Sequence, residues 1–305
     1  MERHQVIVLE DPPSFDFPEM LGGAITISEY IMELDSGFPQ FERRLCSLLR
    51  ELCQGGRRII QVEPYLETLL RIHELFAAGK TVDHILQEPI LREVYLAERR
   101  ATGRLISYYA RSVDGSFEVV VQAVKDFARA DAARLTLRER LRAKAIADIV
   151  RPGVPMYVEA GYIHYPLYQY LRRELGKGVK IRPLFLLAPV VTRLKGKRRN
   201  MGPGDILTLH YAFHHGLREE VADLLAARSL IYIKLIQKEE LLPDKTEAPH
   251  AEDEVRVNRL VDSLQFNQCR ELFEQIRLAK RERAVQLAQV YIQRMSTGSK
   301  VSGEE

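Results

Sequence analysis

The sequence predicts an α/β fold: a mostly parallel central sheet flanked by helices, with a helical insertion and a helical C-terminal extension. Three observations predict it. Short apolar runs rich in Val and Ile recur without polar alternation, as in strands covered on both faces. Helical stretches separate these runs, which suggests a parallel sheet with helices on both sides. Three of the runs end in an acid, at Glu10 (followed by Asp11), Glu63 and Glu159, and ligands of open parallel sheets bind outside the carboxyl ends of the strands.

Taken in order, the expected strands are QVIVLE (5–10), RIIQVE (58–63), MYVEAG (156–161) and IRPLFLLAP (181–189). Residues 64–150 read as helix almost throughout. One helix starts just after Pro64 and stops at Gly79, and two more follow, divided at VDGS (113–116). An insertion of that length predicts a helical subdomain at the sheet edge. A basic, glycine-containing loop (192–205) precedes a helix that Asp205 is placed to cap, and a further helix is expected over 217–241. The α/β domain is therefore drawn over 1–242, followed by a polar linker at 243–254. Residues 255–295 form an amphipathic helical extension with Leu260, Val261, Leu264, Leu272, Phe273 and Ile276 on one face. The tail, 296–305, has the composition of a disordered segment. The apolar positions from Val257 to Ile276 fit a helix–helix seam, and a homodimer through these helices is the expectation.

Apolar residues make up 46% of the chain and charged residues 29%, ordinary values for a protein that buries a sizeable core. A net charge of +3 is too small to imply nucleic acid as a partner. Cys46 and Cys53 share a helical face about 10 Å apart along the axis, beyond disulfide reach, so Cys46, Cys53 and Cys269 are expected as reduced thiols. No run approaches the ~18 apolar residues of a membrane span, and the N-terminus lacks the basic start and apolar core of a leader. The expected location is cytoplasmic, with no membrane partner.

GYIH (161–164) follows the third strand, and RERLRAKAIADI (138–149) precedes it. With the strand that ends in Glu63, this order resembles the second half of the TraB/Tiki/ChaN/erythromycin-esterase-like superfamily. In that group a strand ends in Gly-x-x-His, and an upstream helix is built around Arg-Asp-x-x-Met-Ala. Arg138-Glu139 and Ala143 match that helix, while Arg142 stands where the pattern has Met. The first Gly-x-x-His of the family is absent, and LEDPPS (9–14) occupies its place. The resemblance covers residues 5–190. It implies a hydrolytic centre for peptide, ester or amide bonds, with Glu63, Arg138 and His164 as its catalytic residues.

Physically, Glu10, Asp11, Glu63 and Glu159 would crowd carboxylates beside the His164 imidazole. Such a set needs a divalent cation, Arg138, or raised pKa values. Oxygen-rich ligation with one histidine suits Mn²⁺, Fe²⁺ or Mg²⁺, and Glu63 or Glu159 would accept a proton from metal-bound water. In the plainer reading Arg138 pairs with Glu63 and His164 caps the helix that starts at Pro166. The absent first motif favours a second class of function, a non-catalytic protein of this fold that binds an anionic or peptide-like ligand.

One branch of the resembled superfamily holds haem through tyrosine, which singles out Tyr162 and Tyr165 as cofactor candidates. Tyr165 and Tyr168 share a helical face, and packing rather than haem is the preferred reading. His210 and His214 stand four apart without the intervening Glu of a zinc-protease helix. Arg193, Lys195, Lys197, Arg198 and Arg199 could grip an anion at a helix N-terminus; they lack the interleaved aromatics of a single-strand nucleic-acid site. A serine-hydrolase elbow and a phosphate-binding glycine loop are both missing.

Overall fold

Val6–Leu9 forms a central strand, β1, with Arg58–Gln61 (β2) on one side and Met156–Val158 (β3) on the other, in the order β2-β1-β3. Both pairings are parallel, and Val8 lies opposite Ile60 and Val158. The computed structural model describes residues 1, 3–34, 37–196, 200–213, 216–244 and 246–301, with side chains through residue 295. Between β1 and β2 run three helices, α1 (Asp16–Gly22), α2 (Ile27–Glu33) and α3 (Pro39–Gln54). Between β2 and β3 run α4 (Pro64–Ala77), α5 (Val82–Gln87), α6 (Pro89–Asp114) and α7 (Phe117–Ile149). The insertion expected over 64–150 is thus helical, and its expected break at 113–116 falls between α6 and α7.

Strand alternation sends successive side chains of β1 to opposite faces. Ile7 and Leu9 pack with Phe17, Met20, Tyr30, Ile31 and Leu49 of α1–α3. Val8 packs the other way, against Ala143 and Ile146 of α7 and against Leu167 and Leu171 of α8 (Tyr165–Leu175). The sheet is covered on both faces, and this explains the unbroken apolar run in the sequence.

The fourth expected strand is not formed. Residues 181–185 have no regular structure, and the run ends in the short helix α9 (Ala188–Arg193). Pro183 has no N–H for a sheet ladder, and Pro189 lies in the first turn of α9, where a missing N–H costs nothing. Leu184, Leu186 and Leu187 are 69%, 65% and 53% exposed, so an apolar run here does not signify a buried strand.

Two compact units divide the chain. The first comprises Met1–Arg100, Ala133–Phe185 and Lys238–Leu242; the second comprises Ala101–Ala132, Leu186–Gln237 and the chain from Pro243 onward. The chain passes from the first unit to the second after Leu242, while Ala101–Ala132 and Leu186–Gln237, drawn above within the 1–242 domain, belong to the second unit. The second unit is built from α10 (Pro203–Ala212), α11 (Glu219–Leu235), α12 (Pro249–Asp262), α13 (Phe266–Ile276) and α14 (Arg281–Val301), with parts of α6 and α7. α12 begins inside the stretch expected as a linker. Gly202, not Asp205, stands at the N-cap of α10. Residues 302–305 of the expected tail lie outside the described residues.

The apolar face expected as a seam between subunits is covered within the chain. Val257, Val261, Leu264, Leu272, Phe273 and Ile276 are buried with Leu230 and Ile231 of α11 and Val120 and Val124 of α7. Among the described residues, no helix is long and apolar enough to cross a membrane.

Candidate functional site

The carboxyl ends of the three strands carry the site, which lies in the first unit. Past Leu9, strand alternation puts Glu10 on the face shared by Val8, toward α7 and α8. On α7, Arg138 and Arg142 are one turn apart on the same face, and Glu139 lies about 100° around the helix. β3 leads through Gly161 into a 3-10 turn, Tyr162–His164, and then into α8. A short exit from β3 and a long rigid helix thus deliver the charged groups to the end of β1.

Glu10 is the hub. Its Oε1 accepts from Arg138 Nη2 at 3.0 Å and lies 2.7 Å from His164 Nε2. Its Oε2 accepts from the Gly161 amide at 2.7 Å and lies 3.5 Å from Arg142 Nη1. Gly161 is close to the ring: a Cβ there would stand 3.4 Å from His164 Cδ2. That is ordinary van der Waals distance, and the Gly161 amide reaches Glu10 with the imidazole alongside.

His164 does not cap α8, although it occupies the N-cap position. Its ring lies between two carboxylates, with Nε2 on Glu10 and Nδ1 on Glu139. Glu139 is fully buried and His164 is 8% exposed. Arg138 Nε lies 3.0 Å from Glu63 Oε2, so the plainer pairing of these two residues is present, within a larger network. Glu63 is fully buried at the N-cap of α4, and its Oε1 has no hydrogen-bond partner. Arg142, also fully buried, donates from Nε to the Val62 carbonyl at 2.9 Å and from Nη2 to the Glu159 carbonyl at 2.7 Å. One guanidinium thus ties the ends of β2 and β3 across β1.

Protonation follows from these contacts. Burial alone would raise Glu10, but the His164 hydrogen bond and charge, with Arg142 and the Gly161 amide, bring it down to about 2. Burial alone would lower His164, yet the hydrogen bonds to Glu10 and Glu139 and their charges raise it to about 9. Glu63 is raised by burial in spite of Arg138 and Arg142. Glu159 is raised by burial and by the nearby charges of Asp11 and Glu10. At neutral pH the centre holds an imidazolium against an ionised Glu10.

The structure brings together Glu10, Glu63, Arg138 and His164 and adds Glu139 and Arg142. Glu159 joins through its backbone carbonyl. Its carboxylate belongs instead with Asp11, and both are two residues on from side chains that face α1–α3, Leu9 and Tyr157. The five expected metal ligands are therefore split between the two faces of the sheet. Both oxygens of Glu10 are engaged, His164 Nε2 is turned to Glu10, and guanidinium groups stand where a cation would neutralise the acids. This arrangement fits a divalent ion poorly. Among the described residues, no group of three or more His, Cys, Asp or Glu side chains is placed to hold one.

Tyr165 packs against Tyr168 and Phe185, with ring centroids 6.2 and 6.3 Å apart, while Tyr162 is 46% exposed. Packing accounts for Tyr165. His214 of the paired-histidine reading and Lys197, Arg198 and Arg199 of the anion-loop reading lie outside the described residues. Cys46, Cys53 and Cys269 are free thiols.

Sequence reasoning missed the roles of Glu139 and Arg142. The available signal was their spacing from Arg138: positions 138, 139 and 142 place three charges on one side of a helix whose next turns, Ala143 and Ile146, are apolar and buried.

No protein-family model matches the chain. No solved structure matches it either. An uncharacterised protein of Archaeoglobus fulgidus is 32% identical over 272 residues, spanning 89% of this chain and 90% of that protein.

Proposed function

The chain belongs to one family with the Archaeoglobus fulgidus protein, and from the geometry of its strand-end centre we propose a hydrolytic site of the TraB/Tiki kind. It cleaves an ester, amide or peptide bond in a peptide-like or anionic substrate. One observation carries this reading: Glu63 and His164, joined through Arg138 and Glu10, have affinities for protons that suit opposite roles. Glu63, raised by burial and with Oε1 unpartnered, accepts the proton of the attacking water. His164, an imidazolium, protonates the leaving group. Arg138, 22% exposed at its side chain, is the cation that reaches solvent and takes the developing negative charge.

The centre assigns no step to a metal. A homodimer would have to use a face other than Val257–Ile276, which is buried in the chain itself.

The test is turnover of ester, anilide and peptide substrates by the full chain, with and without added Mn²⁺. Glu63→Gln and His164→Ala should each lower kcat/KM by at least about a hundredfold. Full activity in either variant overturns the roles given. Activity that appears only with Mn²⁺ overturns the metal-free step.

A second reading has its own observation. Every oxygen of Glu10 is already engaged by Arg138, Arg142, His164 or Gly161, a closure that also suits a non-catalytic, ligand-binding member of this fold. A folded wild-type chain that turns over none of these substrates supports it.

A further inference from the structure

Glu139 is buried on α7, with one oxygen on His164 Nδ1 and the other, Oε2, buried without a partner. His164 arrives on a three-residue turn and makes no capping bond to its own helix, so the turn alone does not fix the rotation of its ring. The 33-residue helix α7 is the stiffer element, and it presents Glu139 to the ring from the side opposite Glu10. Ionised carboxylates only accept hydrogen bonds, so a ring bonded to one at each nitrogen carries a proton on both.

We propose that Glu139 is a positioning residue: it grips His164 through Nδ1 and turns Nε2 toward Glu10 and the strand ends, so that the proton delivered in hydrolysis leaves from Nε2. The inference rests on the hydrolytic reading of the same centre. In that step the water oxygen bonds to the carbonyl carbon and its proton passes to Glu63. The bond to the leaving group breaks as that group takes the Nε2 proton. His164 is left neutral, still donating from Nδ1 to Glu139, and the proton on Glu63 restores the imidazolium before the next turnover. Glu139 touches neither substrate nor water.

A histidine N–H held against a carboxylate gives an exchangeable proton resonance far downfield, and this signal reads the contact without any substrate. Wild type should show two such resonances, one from each ring nitrogen. In the full chain the Nδ1 one, assigned by nitrogen-15 correlation, should be retained in Glu10→Gln and lost in Glu139→Gln, and both should be lost in His164→Gln. Glu139→Gln should lower kcat by about a hundredfold while KM stays within about twofold, and Glu139→Asp should recover part of the loss. Absence of the Nδ1 resonance from wild type overturns the proposal, as does its survival in Glu139→Gln. A Glu139→Gln variant that changes KM alone does the same. If no substrate is turned over, the hydrolytic reading fails, and the resonance still decides whether Glu139 orients the ring. If Glu139→Gln does not fold, the Nδ1 resonance in Glu10→Gln decides it: retained, the contact to Glu139 stands; lost, the proposal is overturned.

Discussion

The ring of His164 meets a carboxylate at each nitrogen, so its contribution to stability has a definite direction in pH. Its folded-state value is raised from 6.5 to about 9. The stabilisation is therefore fully present below about pH 6.5 and is lost as pH rises through 9; a shift of that size is worth on the order of 3 kcal/mol. Thermal melts of wild type and His164→Gln should differ most near pH 6 and converge above pH 9. Glu10 behaves in the opposite sense, lowered from 4.5 to about 2. Its stabilisation is present above about pH 4.5 and fades as pH falls through 2, so the wild-type advantage over Glu10→Gln should shrink in acid. Glu63 differs from both. Burial raises it and Oε1 is unpartnered, so Glu63→Gln should change unfolding free energy by no more than about 1 kcal/mol. Denaturant titration checks this, and a lost activity in that variant would then be chemical. At this scale the sequence showed the acids, because strand ends mark themselves by where an apolar run stops. It did not show which acid faces which helix, because one residue of alternation separates Glu10 from Asp11.

Among the elements, guanidinium groups close the ends that backbone bonding leaves open. Arg142 donates to the carbonyls of Val62 and Glu159, Arg228 to those of Asp262 and Leu264 beyond α12, and Arg281 to that of Leu235 at the end of α11. Carbonyls at helix and strand ends need such donors. Arg142 is the most consequential, since it is fully buried and its removal also strips charge from beside Glu10 and Glu63. Arg142→Met should destabilise the chain by about 3–5 kcal/mol, as expected when one partner of a buried ionic group is deleted, and urea denaturation would measure it. These contacts span up to 80 residues, so local pattern could not reveal them. The three real strands were legible because each is a short apolar run that stops at an acid, Glu10, Glu63 or Glu159. The run at 181–189 shared that composition, yet Pro183, which has no N–H for a ladder, decided against it.

In the whole molecule, the C-terminal helices complete a core rather than extend it. Leu272 and Phe273 of α13 and Val257 of α12 are buried with residues of α7 and α11. A chain ending at Pro243 should therefore lose the folding of the second unit, seen as a lost melting transition, and Leu272→Ala should cost about 2–5 kcal/mol. The order β2-β1-β3 has a further consequence, for synthesis. β1 is the first made of the sheet's three described strands and lies in its middle, and Val6 pairs with Met156. At about 5–20 residues per second a ribosome needs roughly 10–30 s to reach that partner. Until then one edge of the nascent β1 is bare, and Glu10 lacks Gly161 and His164. The charged centre is assembled only after His164 has been translated, so a nascent-chain binder would find this strand available for most of that interval.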